Sequence, residues 1–584
     1  MRRWMTVGLL LAGAMPALAQ ESDAPEPVRA EQYMAVAANP HASRAGLEIL
    51  RAGGSAADAA IAMQMVLGLV EPQSSGIGGG GFLLHYGAAD GALIAYDGRE
   101  TAPMAADETL FLTDDGEPMD YVDAAFGGRA VGTPGNLAML EMVHADQGKL
   151  PWARLFAPAI RLAEEGFAIS PRLHELLDGR AEFFRERMEL AFDDLGPAGR
   201  YFFTPDLQAK AAGTVLKNPA YADSLRRIAK AGAAALYSGP LADEIIAAVR
   251  DNPFAPGLLE ADDLTAYAPR RVAAVCGPYR DHRICSMGPP SSGATTMLAT
   301  LGVLEGFDLG AMDVQSAEAV HLFAGASRLA YADRELYIGD DAFVSVPVEG
   351  LIDPAYLARR RALIGLDAAM ESAPAGTPPQ EHGALDYAPH QGRELPATSH
   401  LVVADAAGNV VSFTTTVQIA FGSFVMAGGF LLNNELTDFS FAPEQDGRKV
   451  ANRVGPGKKP RSSMTPTIGF DDAGRPAFAI GSPGGSRIIN YVTKAVMGLV
   501  DWRLDIQQAI SLPNMTGRNA TIELEQDTPL ADRQAALEAM GHSVELRSLN
   551  SGLHGLTIHY RPDGARSHLT GGADPRREGL PLGD

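Results

Sequence analysis

The sequence predicts an α/β protein, and three observations carry that expectation. Residues 41–70 and much of 130–365 repeat apolar positions with a helical period. After residue 398 the period drops to two, with apolar runs at 400–404 and 410–417 flanking the turn Asp405-Ala-Ala-Gly-Asn409. The 584 residues are 46% apolar and 20% charged, enough to bury a large core, which excludes disordered and fibrous classes.

The chain opens on a predicted secretory leader at residues 1–19. Arg2 and Arg3 precede a short apolar run at 7–15, and Ala17-Leu18-Ala19 offers small residues for cleavage before Gln20. The run is too short to span a bilayer, so a cleaved, exported, periplasmic protein is expected. Residues 42–51 form an amphipathic helix that stops at Gly53-Gly54, and Ser55 caps a second helix, apolar all round, through Val70. Strands follow at 82–86 and 92–96. Gly76, Gly78 and Gly81 satisfy G-x-G-x-x-G, but they sit between a helix and a strand in the order opposite to a dinucleotide fingerprint.

Helical patterns run at 136–145, 153–165 and 221–231. Cys276 and Cys285 are the two cysteines. With Arg280-Asp281 as a two-residue hairpin turn they face each other in a non-hydrogen-bonded pair, where a bridge or two buried thiols both fit. Further helices are expected at 294–305, 316–334 and 354–364. Residues 371–397 are polar and Pro-rich, an exposed tether open to cleavage. In the hairpin beyond it, with 406–409 as the loop, 405 pairs with 410 and 399 with 416, which leaves Thr398 one step from Thr416. Strands are expected at 430–432, 465–470 and 477–480, and helices at 487–499 and 506–511.

The net charge of −23 repels phosphate backbones and anionic headgroups, which excludes nucleic acid or a membrane face as the main partner. The 13 histidines show no ligand spacing, so neither a metal nor another cofactor is expected. The chemistry concentrates around Thr398. A threonine hydroxyl needs an adjacent base, and cleavage after Ala397 would supply the residue's own α-amine. Glu435 and Asp438, three apart, share one face of a turn and suit an ammonium group. Residues 481–487, GSPGGSR, form a Gly-rich turn opening a helix, whose free amides suit an oxyanion or equally a simple tight turn. Arg461-Ser-Ser offers two hydroxyls beside a charge, and Arg99 lies at a strand end.

Together these segments resemble the γ-glutamyltransferase family of N-terminal-nucleophile hydrolases. The resemblance rests on TSH at 398–400, EPQSSGIGGGGF at 71–82, DGRETAP at 97–103, PPSSG at 289–293, AYADR at 330–334, LNNE at 432–435, SSM at 462–464 and GSPGGSR at 481–487. It implies a four-layer αββα sandwich and a precursor that cuts itself into a large subunit, 20–397, and a small one, 398–584, held as a heterodimer. By the same resemblance Thr398 attacks a γ-glutamyl amide such as glutathione, oriented by Thr416, with Gly484 and Gly485 holding the oxyanion. Arg99, Ser462 and Ser463 would bind the donor's α-carboxylate, and Gln418, Glu435 and Asp438 its α-amine. The glutamyl group passes to water or to an acceptor amino acid or peptide. Two features depart from the family pattern: Gln418 stands where Asn is common, and no tyrosine lies between Asp438 and Arg461. The alternatives are a glutaryl-type cephalosporin acylase on the same scaffold and a non-catalytic periplasmic binding homologue.

Overall fold

A computed structural model describes residues 25–380, 385–390, 392, 395 and 397–584; the predicted leader lies outside them. Two sheets of seven strands form the centre. Their strands are, in chain order, β1 (Val28–Ala30), β2 (Met34–Ala37), β3 (Gly80–Tyr86), β4 (Leu93–Gly98), β5 (Arg270–Val272), β6 (Val275–Tyr279) and β7 (His282–Ser286). The rest are β8 (Ser399–Ala404), β9 (Val410–Thr416), β10 (Thr467–Phe470), β11 (Pro476–Gly481), β12 (His554–Tyr560), β13 (Arg566–Ala573) and β14 (Leu580–Gly583). One sheet runs β1-β13-β12-β11-β10-β7-β6 and the other β14-β2-β8-β9-β3-β4-β5. Neighbouring strands pair antiparallel throughout both.

Alternate residues of β8 show how the layers stack. Leu401 and Val403 join a core shared with helices α1 (Pro40–Arg51), α2 (Ala56–Val70), α3 (Asn136–Gln147) and α4 (Pro171–Glu186). Val402 and Ala404 join a second core with Ile468, Ile480 and Leu556 of the other sheet. Helices α5 (Gly293–Leu304), α6 (Ala317–Tyr337) and α7 (Ile488–Val500) belong to that second core. The result is the αββα sandwich. Covered on both faces, β8 and β9 are buried at every position; β8 is apolar from Leu401 onward, whereas in β9 the buried hydroxyls of Ser412, Thr414, Thr415 and Thr416 are hydrogen-bonded. The second helix is likewise buried at every residue and begins on a capping box between Ser55 and Asp58.

Two hairpins test the sequence reading directly. In β6–β7, Cys276 pairs with Cys285 as expected, and the two are joined in a disulfide with Cα atoms 4.1 Å apart. The β8–β9 hairpin differs by one step. Ala404 pairs with Val410 and Ser399 with Thr415, so the loop is 405–409 and not 406–409. The cause is local: Asp405 Oδ1 accepts the amides of Ala407 and Asn409, at 2.9 and 3.0 Å, and Gly408 takes φ +94°, which together widen the loop by one residue. Continued past Ser399, the corrected register sets Thr398 directly across from Thr416. Among the described residues no helix is long and apolar enough to cross a membrane.

Candidate active site

Thr398 lies just before β8, buried, with φ +96°. That conformation is rare for a β-branched residue and stores roughly 1–3 kcal/mol of strain. Its Oγ1 donates to Thr416 Oγ1 at 3.3 Å, and Thr416 Oγ1 accepts the Gln418 amide at 2.8 Å. His400 does not join them: its Nδ1 meets Thr414 Oγ1 at 2.8 Å, and burial holds its pKa well below the usual imidazole value.

The loop between β11 and α7 supplies the donors. The Gly484 amide donates to the carbonyl oxygen of Ala397 at 3.2 Å, the very carbonyl of the bond that precedes Thr398. Gly484 and Gly485 take φ +142° and +60°, and a Cβ on Gly484 would come 2.8 Å from Tyr491 Cε2. Only glycine satisfies both demands. The carbonyl of the next residue, Ser486, accepts the Tyr331 hydroxyl, which ties the loop to α6.

At the other end, Arg99 follows β4 and is fully buried. It donates to Glu435, to Asp438 Oδ2 at 2.7 Å and to the carbonyls of Pro460 and Arg461 at 3.0 and 2.7 Å. A third carboxylate, Glu100, stands 3.8 Å from its Nη1. Both Glu100 oxygens and Glu435 Oε2 are buried without a hydrogen-bond partner. Burial pushes Glu100 up to about 8 and raises Glu435 well above the carboxylate range, with Arg99 opposing both shifts. Three carboxyls therefore surround one guanidinium, and the pocket carries spare negative charge when they ionise.

Ser462 and Ser463 are fixed from α5 and α6. The Ser462 carbonyl accepts the Ser292 amide and hydroxyl at 2.8 and 2.7 Å. Arg334 reaches Ser463 Oγ at 2.6 Å and Ser292 Oγ at 2.8 Å. The motifs PPSSG and AYADR thus hold the serine pair in place. The glycine run at 76–81 also proves structural: a Cβ on Gly79 would sit 2.0 Å from the Thr416 carbonyl oxygen. Thr398, Thr416, Gln418, Glu435, Asp438, Ser462, Ser463 and Gly485 all line one cavity of about 20 Å³, with Leu395 of the tether beside them. That volume holds about one water.

Sequence reading brought these eight together, with Gly484 and Arg99 in contact at their edges, but it missed Tyr121. This residue opens the short helix Tyr121–Ala125. Gln418 Nε2 donates to its hydroxyl at 3.1 Å and to Asp438 Oδ1 at 3.0 Å. The Tyr121 ring stacks on Phe441 at 6.1 Å, so an aromatic side chain from a distant helix stands beside the region that lacks a tyrosine. Nothing in the local sequence marks it. Glu100 and Arg334 had a signal, since both lie in motifs already singled out. Among the described residues no group of three or more His, Cys, Asp or Glu is placed to hold a metal ion.

The family profile named gamma-glutamyltranspeptidase matches residues 42–583. The chain is 33% identical to a glutathione hydrolase proenzyme of Bacillus subtilis (strain 168), an alignment covering 98% of this chain and 96% of that one. It is 37% identical to the acylase ACY 1 proenzyme of Pseudomonas sp. (strain V22), covering 97% and 96%. A solved structure of a cephalosporin acylase from Bacillus halodurans superposes with a TM-score of 0.81 at 28% identity, covering 98% of this chain and 99% of that chain.

Proposed function

Because this chain belongs to the gamma-glutamyltranspeptidase family, we propose that it is an exported enzyme that cuts itself before Thr398 and then cleaves γ-glutamyl amides such as glutathione. The observation that carries this reading is the joint placement of Thr398 Oγ1 against Thr416 and of the Ala397 carbonyl against the Gly484 amide. In the first stage Thr398 Oγ1 adds to the Ala397 carbonyl carbon, the Ala397–Thr398 C–N bond breaks, and the resulting ester is hydrolysed by water. Residues 20–397 and 398–584 become the two subunits of a heterodimer in the periplasm. Relief of the strained Thr398 backbone favours the cut.

The free α-amine then takes the proton as Thr398 Oγ1 attacks the γ-carbonyl of the donor. Thr416 orients the hydroxyl, and the Gly484 and Gly485 amides hold the oxyanion. The amine leaves with the proton, and water or an acceptor amine releases the glutamyl group from the ester. The cavity of the uncut chain is too small for a glutamyl group, and Leu395 lines it, so cleavage of the tether must also open the pocket.

The charges around Arg99 favour an α-amino donor. The Asp438 carboxylate offsets the guanidinium while burial keeps Glu100 and Glu435 protonated at neutral pH, so a donor carrying an ammonium beside its carboxylate adds no net charge, whereas a glutaryl group adds a buried anion. Arg99, Ser462 and Ser463 would take the carboxylate, and Gln418, Glu435 and Asp438 the ammonium. The 37% identity to an acylase keeps glutaryl-amide hydrolysis as the second reading. Mass spectrometry of the mature protein should find an amino terminus at Thr398, and Thr398→Ala should remain one inactive chain. Release from γ-glutamyl anilide should exceed release from glutaryl anilide; the reverse order would establish the acylase reading.

A further inference from the structure

A second cavity, of about 480 Å³, lies beyond the donor site and shares no lining residue with it. Three segments wall it: the end of α4 with the turn Phe192–Leu195, the helix Pro240–Arg250 with the residues just after it, and the stretch 423–426. Its buried lining is mainly apolar, with Phe126, Phe184, Leu195, Phe424, Val425 and Met426. Phe254 also lines the hollow and is 42% exposed, so a large ring is left in contact with water beside it. A hollow of this size and lining matches a small organic molecule.

The charged groups around it have a single sign. Asp193 and Asp194 come from the first wall, Glu244 and Asp251 from the second, and no Lys, Arg or His lines the hollow. None of the four acids has an ion-pair partner among the described residues. Asp194 Oδ2 and Glu244 Oε1 each accept one backbone amide, from Ala191 and Gly428, at 2.7 Å. Exposed acids elsewhere, such as Glu48 and Glu260, pair with Arg161 and Arg250. Acids that only keep a surface hydrated need no hollow between them, whereas these stand on two walls of one.

We propose that this cavity is a binding site for an organic cation, an amine or quaternary ammonium on an apolar alkyl or aryl body. The body fills the phenylalanine-lined hollow, and the charge lies between the carboxylates of the two walls, where it finds the counter-ions that the chain itself does not supply. An anion of the same size meets four like charges, so the site is unsuited to a carboxylate-bearing molecule. The inference goes beyond the γ-glutamyl reading and does not depend on it, since the two cavities have no lining residue in common.

The test is isothermal titration of the purified protein with octyltrimethylammonium, a cation without an N–H that therefore cannot serve as an acyl acceptor. One saturable site per chain is expected, and octanoate, of equal chain length and opposite charge, should bind at least about tenfold more weakly, a difference of about 1.4 kcal/mol. Asp193→Asn combined with Asp251→Asn removes one exposed carboxylate from each wall and should weaken the cation about tenfold without weakening octanoate. Ala248→Trp puts an indole into the hollow and should abolish binding of the cation. No saturable binding, equal affinity for the cation and octanoate, or cation binding unchanged in these variants overturns the proposal. Should Ala248→Trp not fold, the paired asparagine variant, which alters only exposed side chains, decides the matter alone.

Discussion

The carbonyl oxygen of Ala397 accepts the amide hydrogen of Gly484 at 3.2 Å, so the bond before Thr398 already occupies the backbone donor that the proposed mechanism assigns to the substrate. One loop would then serve both self-cleavage and turnover. Gly484→Ala forces a Cβ against Tyr491 and a φ of +142° on a residue that resists it. Both reactions should slow together, kcat by about 10²–10³-fold. Time courses of the two-band gel pattern and of anilide release check this; normal cutting with slow turnover would separate the two roles.

Thr416→Val keeps the strand but removes the oxygen that meets Thr398 Oγ1 and the Gln418 amide. The expected result is a kcat lower by about 10²-fold with KM nearly constant, because the lost contact acts on the nucleophile and not on the donor. Steady-state kinetics with γ-glutamyl anilide decide it. A change confined to KM would place Thr416 in binding.

Glu100 gives a pH signature. Its folded-state pKa, raised by burial from 4.5 to about 8, means that the folded chain keeps a proton that the unfolded chain releases. The associated stability is complete below about 4.5 and is lost as pH rises through about 8. The uncut Thr398→Ala precursor should therefore melt lower at about pH 9 than at about pH 5, and Glu100→Gln should remove part of that fall. Equal slopes for the two proteins, by calorimetry, would show that Glu100 does not titrate there.

The Cys276–Cys285 bond spans a sequence separation of 9 at the outer edge of its sheet. Closing a loop of that size in the unfolded chain is worth about 2–3 kcal/mol. Replacing both cysteines by serine should lower the denaturant midpoint accordingly while leaving turnover at ambient temperature intact. Loss of activity in the folded variant would give the hairpin a role beyond stability.

Helices α1 and α2, both hairpins and the Gly484 turn were legible because each is written in local rules: caps, alternation and turn residues. That Thr398, the Glu435–Asp438 pair and the Ser462–Ser463 pair belong to one place was legible through the motifs that carry the family resemblance, and all of them line one cavity. The β8–β9 register was not, since Asp405 and Gly408 widen the loop by one residue and period-two alternation fits either pairing. Nor was Tyr121, whose partner Gln418 lies 297 positions away.

By itself, then, the sequence determined most of the elements and the family, and it proposed the cleavage site and the nucleophile, because short-range patterns and motifs are properties of neighbouring residues. The tertiary structure alone decided that Thr398 stands opposite Thr416 and that Arg99 is enclosed by three carboxyls. Those facts depend on which distant segments share a low-dielectric space, where charge balance is set by packing and not by chain order.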